Sequence, residues 1–143
     1  MKISTKGRYA LQMFVDLAEH KDNGFIALKD IANRQNISKK YLEQIIPVLN
    51  KTDILLSNRG TQGGYRLARE PNEYTVAEIL KLTEGSLSPV SGIELDDSVA
   101  QTEDYTAYVW QGLYKAINDY LESITIQDIV DYKNSLIGND YII

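Results

Sequence analysis

The sequence has no cysteine, a single histidine, one tryptophan and three prolines in 143 residues. Without cysteine there is no disulfide, no thiolate-held metal or iron-sulphur cluster, and no thiol nucleophile. With His20 as the only imidazole, the common nucleophile-base pairs have almost nothing to be built from. No cofactor-binding motif is present either, so no residue is assigned a catalytic role and an enzyme is not expected. No stretch of eighteen apolar residues occurs, which argues against a membrane span. The opening Met1-Lys-Ile-Ser-Thr-Lys6 lacks the apolar centre of a secretory signal, and cytoplasm is the expectation. With 43% hydrophobic and 24% charged residues the chain has the makings of one core with an appendage, not of a disordered segment.

Basic residues are almost missing from one half. Residues 71–143 contain three Lys, no Arg and thirteen acids (3 − 13 = −10), whereas residues 1–70 contain seven Lys and five Arg against seven acids (12 − 7 = +5). The net charge of −5 and pI of 4.9 therefore hide a basic module joined to an acidic one. A basic module can meet the phosphates of nucleic acid, which an evenly acidic protein would repel. Chance clustering of solvated charge is the plainer alternative.

Ala10, Leu11, Phe14, Val15 and Ala18 recur at helical spacing after Ser4 or Thr5, and the pattern stops near Asn23-Gly24. Leu28, Ile31 and Ala32 give a short second helix that ends at Asn36-Ile37-Ser38. Ser38 is a good N-cap for a third, in which Leu42, Ile45, Ile46 and Leu49 form one apolar face. Opposite that face stand Lys40, Gln44 and Lys51, flanked by Lys39 and Glu43. Glu43 and Gln44 have the chemistry to read base edges, and Lys39 and Lys40 to grip phosphate. The face could also do no more than solvate a helix. Pro47 removes one helical hydrogen bond, so either the helix kinks there or it is shorter than its stripe; a kink that spares residues 38–44 is preferred.

Ile54-Leu-Leu-Ser-Asn58 and Tyr65-Arg-Leu-Ala-Arg69 read as two strands around the glycine-rich Arg59-Gly-Thr-Gln-Gly-Gly64, a hairpin. The glycines are not a phosphate loop, because the Gly-Lys-Ser/Thr ending is missing. Arg59, Arg66 and Arg69 make the hairpin basic, and an Arg at its tip can enter a minor groove. Three helices and a basic hairpin predict a mainly α fold with a small β wing, a winged helix-turn-helix.

The opening Met1-Lys-Ile-Ser-Thr-Lys-Gly-Arg-Tyr-Ala10, the run Ser38-Lys-Lys-Tyr-Leu-Glu-Gln-Ile45 and the wing Arg59-Gly-Thr-Gln-Gly-Gly-Tyr65 closely resemble the Rrf2 family of bacterial transcription regulators. The resemblance implies that Tyr41, Glu43 and Gln44 face the major groove, that Arg59 enters the minor groove, and that Thr5, Lys6 and Arg8 approach the DNA backbone. It also implies a homodimer formed through a long C-terminal helix. Family members that sense iron or redox state carry a cysteine cluster after the fourth helix. This chain has no such ligands, and no cofactor is expected.

In the C-terminal half, Thr75-Val-Ala-Glu78 reads as a capping box opening a fourth helix that stops at Gly85. Residues 85–102 read as a linker or regulatory loop. Glu94, Asp96 and Asp97 could hold a hard cation, but without a loop motif they read as a solvated acidic stretch, and no metal site is assigned. Trp110, Leu113, Ile117, Tyr120 and Ile124 form a heptad-like stripe on a helix over roughly 103–123. That stripe either covers the winged domain or pairs with a second copy, as a helix-turn-helix dimer on a palindromic operator would require. Thr125-Ile-Gln-Asp128 opens a short last helix. The expected division is thus 1–84 winged domain, 85–102 linker, and 103–143 dimerisation helix and tail.

Within the family, Ser88-Pro-Val90, the missing cysteines and the Tyr141-Ile142-Ile143 ending are most similar to the cysteine-metabolism repressors of Gram-positive bacteria. That similarity implies repression of cysteine and sulfur genes and cysteine synthase as a partner, its substrate pocket taking the C-terminal carboxylate of Ile143. Two other readings stay open: a family regulator of another regulon, and a winged-helix module that binds protein alone.

Overall fold

Ser4 ends an extended segment and its Oγ accepts from the Gly7 amide at 3.0 Å, satisfying one orphan donor and opening α1 (Thr5–Glu19). In the computed structural model, which describes residues 2–95 and 104–140, there follow α2 (Leu28–Gln35), α3 (Lys39–Leu49), β1 (Leu55–Asn58), β2 (Gly64–Leu67), α4 (Val76–Glu84), α5 (Ala107–Glu122) and α6 (Ile126–Asp140). A single 3-10 turn at Lys21–Asn23 and Gly24, at φ 74°, close off α1.

The helix-turn-helix is set by a short turn and a buried charge. Asn36 caps α2 in the left-handed region (φ 54°, ψ 48°), which Asn tolerates better than most side chains. Ile37 then drops into the core, and Ser38 caps α3 by accepting from the Tyr41 amide. Asp16 of α1 is buried, with 1% of its surface exposed. Arg34 of α2 grips it bidentately, Nε donating to Oδ2 at 2.9 Å and Nη2 to Oδ1 at 2.7 Å. Gln35 Nε2 donates to Oδ2 at 3.1 Å. The clamp fixes α2 on α1, and α2 in turn aims α3.

Along α3 the apolar face foreseen from spacing, Leu42, Ile45, Ile46 and Leu49, is buried in the main core. The helix runs continuously through Pro47 to Leu49, so the stripe is not cut short. Pro47 is exposed, and the carbonyl it leaves unpaired belongs to the exposed Glu43, where water can satisfy it.

The wing pairs Leu55 with Leu67, Leu56 with Arg66, Ser57 with Tyr65 and Asn58 with Gly64, antiparallel. Ile26, between α1 and α2, adds a one-residue bridge on the other edge of β2 by exchanging two 2.8 Å bonds with Tyr65. A Cβ on Gly64 would overlap the Ile26 carbonyl, so glycine is required by that close approach. At the hairpin base, the fully buried Tyr74 donates from its hydroxyl to the Ile54 carbonyl at 2.6 Å and accepts from the Arg69 amide at 3.0 Å. Burial pushes the Tyr74 phenol up, which keeps it a donor.

The acidic half does not hang free of this domain. Thr75 and Thr125 form a bridge, in which the Val76 amide donates to the Ile124 carbonyl at 2.9 Å and the Ile126 amide to the Tyr74 carbonyl at 3.0 Å. Ile126 is fully buried in the main core, where Val130 joins it. Leu87 is buried in a second cluster with Val76, Ala77, Leu80 and Tyr114, so the segment after α4 is pinned at its start despite its loop-like composition. Thr125 and Asp128 complete a reciprocal capping box. The one expected at Thr75 is only half made: Thr75 Oγ1 accepts from the Glu78 amide, but the Glu78 carboxylate turns to Arg69.

Arg34→Ala leaves the Asp16 carboxylate buried without its charged partner. The Arg34 side chain is 38% exposed, so water can reach part of the gap, and leaving a buried acceptor short of its donors costs about 1–3 kcal/mol. Urea unfolding should therefore register a loss of about that size, while Arg8→Ala, at an exposed position, should change stability by less than about 0.5 kcal/mol.

Candidate nucleic-acid interface

With its apolar face buried, α3 presents Lys39, Lys40, Glu43 and Gln44 to solvent, while Lys51, expected on the same face, is exposed in the turn beyond the end of the helix. Lys39 Nζ lies 3.7 Å from Glu43 Oε1, one turn away, so the candidate base reader is loosely tethered by a candidate phosphate contact. Both are more than half exposed, and an ion pair of this kind contributes little and yields easily to a ligand. Lys40 and Gln44 stand exposed beside them.

Tyr41 is half-buried where α3 meets α1. Its ring packs edge-on against Tyr9 of α1, with centroids 5.2 Å apart. It also lines an open groove of about 550 Å³ with Lys2, Thr5, Lys6, Glu84, Ser86 and Ser88. Thr5, Lys6 and Tyr41, all predicted to meet DNA and drawn from distant parts of the sequence, are thus brought to one wall. Arg8 is exposed on the next turn of α1.

The order of that groove comes from Glu84, the last residue of α4. Its two carboxylate oxygens accept from the Ser4 amide at 2.6 Å and the Ser4 hydroxyl at 2.7 Å. Gly7 lets the helices close here: a Cβ on it would stand 3.0 Å from Thr83 Oγ1 and 3.1 Å from Glu84 Oε2. Burial pushes the Glu84 carboxyl up, but the bonds from Ser4 and Thr83 and the nearby Lys6 charge outweigh it and hold the group below its ordinary value. Sequence reasoning did not find Glu84, Lys2, Ser86 or Ser88. The only local signal was Gly7 inside a helix.

The wing arginines separate. Arg59 is exposed at the hairpin tip. Arg66 lies over the Phe25 ring at 5.5 Å and borders a different depression, with Lys21, Arg69 and Glu70. Arg69 corrects the sequence reading of a uniformly basic wing. It stacks on Tyr74 at 4.4 Å, donates to the Glu73 carbonyl at 3.1 Å and pairs with Glu78, so its charge is used inside the domain.

On α5, Trp110, Leu113 and Tyr120 of the predicted stripe are exposed, together with Tyr108 and Val109, and so is Tyr105 in the turn before the helix. Ile117 and Ile124 instead pack on the second cluster, beside Tyr114. Asp96, Asp97 and the tail Tyr141, Ile142 and Ile143 lie outside the described residues.

Two helices joined by a three-residue turn, the second with a free polar face, beside a hairpin with an arginine at its tip, define a winged helix-turn-helix, a DNA-binding fold. Residues 3–132 match the Rrf2 family, described as iron-dependent transcriptional regulators. The chain is 39% identical over 132 residues to the HTH-type transcriptional regulator CymR of Bacillus subtilis, covering 92% of this chain and 91% of that one. To the regulator IscR of Pectobacterium atrosepticum it is 33% identical over 136 residues, 95% of this chain and 83% of the relative. Among solved structures, CymR, the global cysteine regulator of B. subtilis, superposes with a TM-score of 0.75 at 37% identity, over 92% of this chain and 98% of its own. IscR of T. potens does so with 0.70 at 40% identity, over 93% and 88%. The chain belongs to the Rrf2 family of transcriptional regulators.

A cysteine-held iron-sulphur cluster does not fit the donor set of this chain. It has no thiolate, and the Nδ1 of its only histidine sits 2.8 Å from the Asp16 carbonyl at the end of α1. No group of three His, Asp or Glu able to hold a metal occurs among the described residues. No helix among them is long and apolar enough to cross a membrane.

The Glu84 contact has a pH signature. A carboxyl whose folded pKa is lowered contributes stability that is fully present above its unfolded value and lost as pH falls through the folded one. The melting-temperature gap between the wild type and Glu84→Gln should stay constant from pH 8 to about 5 and shrink only below the ordinary carboxyl value of 4.5.

Proposed function

We propose that this protein is a sequence-specific DNA-binding repressor that acts as a homodimer on a palindromic operator, controlling genes of cysteine and sulfur metabolism. The observation that carries the DNA reading is the gathering of Thr5, Lys6 and Tyr41 along one groove beside the exposed polar face of α3. In this reading Glu43 and Gln44 meet base edges with Tyr41 beside them. Thr5, Lys6, Arg8, Lys39 and Lys40 hold phosphates, Arg59 enters the minor groove, and Arg66 adds a peripheral phosphate contact.

Residues 1–84 carry the binding surface, 85–102 link it to 103–143, and within 103–143 α5 is the dimerisation helix while α6 packs back on the binding unit through Ile126 and Val130. The exposed Trp110, Leu113 and Tyr120, which share one side of α5, support self-association, because clustered exposed apolar side chains on one helix favour a partner. The cysteine regulon is supported by the likeness to CymR, which extends over nearly the whole of both chains. With no cluster ligands in the sequence, control comes from a metabolite or a protein. We assign that role to cysteine synthase, engaged by Tyr141, Ile142 and Ile143, in the cytoplasm.

Neutralising about 6–10 phosphates should make duplex affinity fall roughly 10³- to 10⁵-fold between 50 and 200 mM salt, measured by fluorescence anisotropy. A flat response would remove the DNA reading. Arg59→Ala should weaken binding on all duplexes, whereas Glu43→Ala should broaden the sequences recovered from a random pool. Separately, deleting Tyr141 to Ile143 should abolish binding to purified cysteine synthase, and unchanged affinity rules out the tail as the contact.

A further inference from the structure

Glu84 is out of place for a residue in a DNA-facing groove. It shares a wall with Lys2 and Lys6, and a carboxylate there repels the phosphates those lysines would attract. Its geometry accounts for it. Each oxygen accepts from Ser4, one from its backbone amide at 2.6 Å and the other from its hydroxyl at 2.7 Å, with Thr83 beside them. The same hydroxyl accepts from the Gly7 amide and so caps α1. The carboxylate, the cap and the first turn of α1 form one hydrogen-bonded chain, with Thr5 and Lys6 the next residues along it. The close approach at Gly7 presses α1 onto the end of α4 at the same level, so the turn has little room to shift.

We propose that Glu84 is a positioning residue for DNA binding: by holding Ser4 it fixes the first turn of α1, so that Thr5 and Lys6 meet the DNA backbone already in place. Holding the turn in advance removes ordering cost from the bound state, and this gain exceeds the repulsion the charge introduces. The proposal rests on the DNA-binding reading above. It also places α4, and with it the pinned segment at Leu87, in direct mechanical contact with the DNA-facing turn.

The experiment measures anisotropy of a labelled duplex, selected by the wild-type protein from a random pool, across a salt series. Glu84→Ala should bind about fivefold or more weakly, with a salt slope shallower by about 0.9 for each phosphate that is no longer neutralised. Glu84→Gln keeps an oxygen for the Ser4 amide and should stay within about twofold of wild type. Electrostatics alone predicts the opposite: both variants lose the same charge, and both should bind more tightly. Equal or tighter binding by Glu84→Ala, or equal effects of the two variants, overturns the proposal.

Lys6→Ala supplies the second arm. If Glu84 acts through this turn, Glu84→Ala adds little on a Lys6→Ala background, whereas independent, fully additive losses refute it. This cycle separates positioning from a general loss of stability, which would add regardless of Lys6. Salt-independent binding by the wild type would instead overturn the DNA reading itself, and this proposal with it.

Discussion

The buried carboxylate of Asp16 is the constraint on which the rest of the binding domain depends. A charge with 1% of its surface exposed is tolerated only where its hydrogen-bonding capacity is filled, and here Arg34 and Gln35 fill it from the last turn of α2. An apolar contact between α1 and α2 would permit sliding; a bidentate pair does not. Because only three residues separate α2 from α3, the register fixed at Asp16 is carried directly into the orientation of the reading helix. A second polar anchor, the Tyr74 hydroxyl, does the same for the wing, tying the hairpin base at Ile54 and Arg69 to the start of α4. Reading helix and wing are therefore oriented by separate buried polar groups within one apolar core.

What the sequence disclosed follows from how locally each feature is encoded. The third helix and its face were legible because Leu42, Ile45, Ile46 and Leu49 lie within three turns, and the Ser38 cap sits directly before them. The hairpin was legible from its glycines. The Ile26 bridge could not be read, since a single extended residue carries no periodicity and its partner lies far along the chain. Leu87 escaped for the same reason: one apolar residue among serines and prolines forms no stripe, yet it is 1% exposed.

Misassigned charges have a similar origin. Arg69 counts as wing charge until Glu78, on another element, is seen to take it up, and Glu78 thereby fails to finish the capping box its spacing announced. The α5 stripe shows the limit of heptad counting. Spacing puts Trp110, Leu113, Ile117 and Tyr120 on one side of α5, with Ile124 just past its end, but does not say what covers each. Tyr114, Ile117 and Ile124 pack on the second cluster, whereas Trp110, Leu113 and Tyr120 stay exposed. Of the candidate DNA-binding residues, Thr5, Lys6 and Tyr41 were nameable from motif resemblance. That they share a groove, with an acid organising it, required the packing of α1 against α4.

The two halves of opposite charge are joined more firmly than their composition suggests, and α4 is the joint. At its N-terminal end, Thr75 bridges to Thr125, and Glu122 of α5 accepts from Thr75 Oγ1 at 3.3 Å and Lys81 Nζ at 3.0 Å. At its C-terminal end, Glu84 holds Ser4. Between them Val76, Ala77 and Leu80 face the α5 cluster while Ile79 enters the main core. A helix gripped this way at both ends moves as a rigid body or not at all, since close-packed interfaces transmit displacement instead of absorbing it. Contiguous contact of this kind is the physical prerequisite for coupling between sites. In a chain without cysteine it joins the acidic half, with its exposed Trp110, Leu113 and Tyr120 on α5, to the first turn of α1, the turn proposed above to meet DNA.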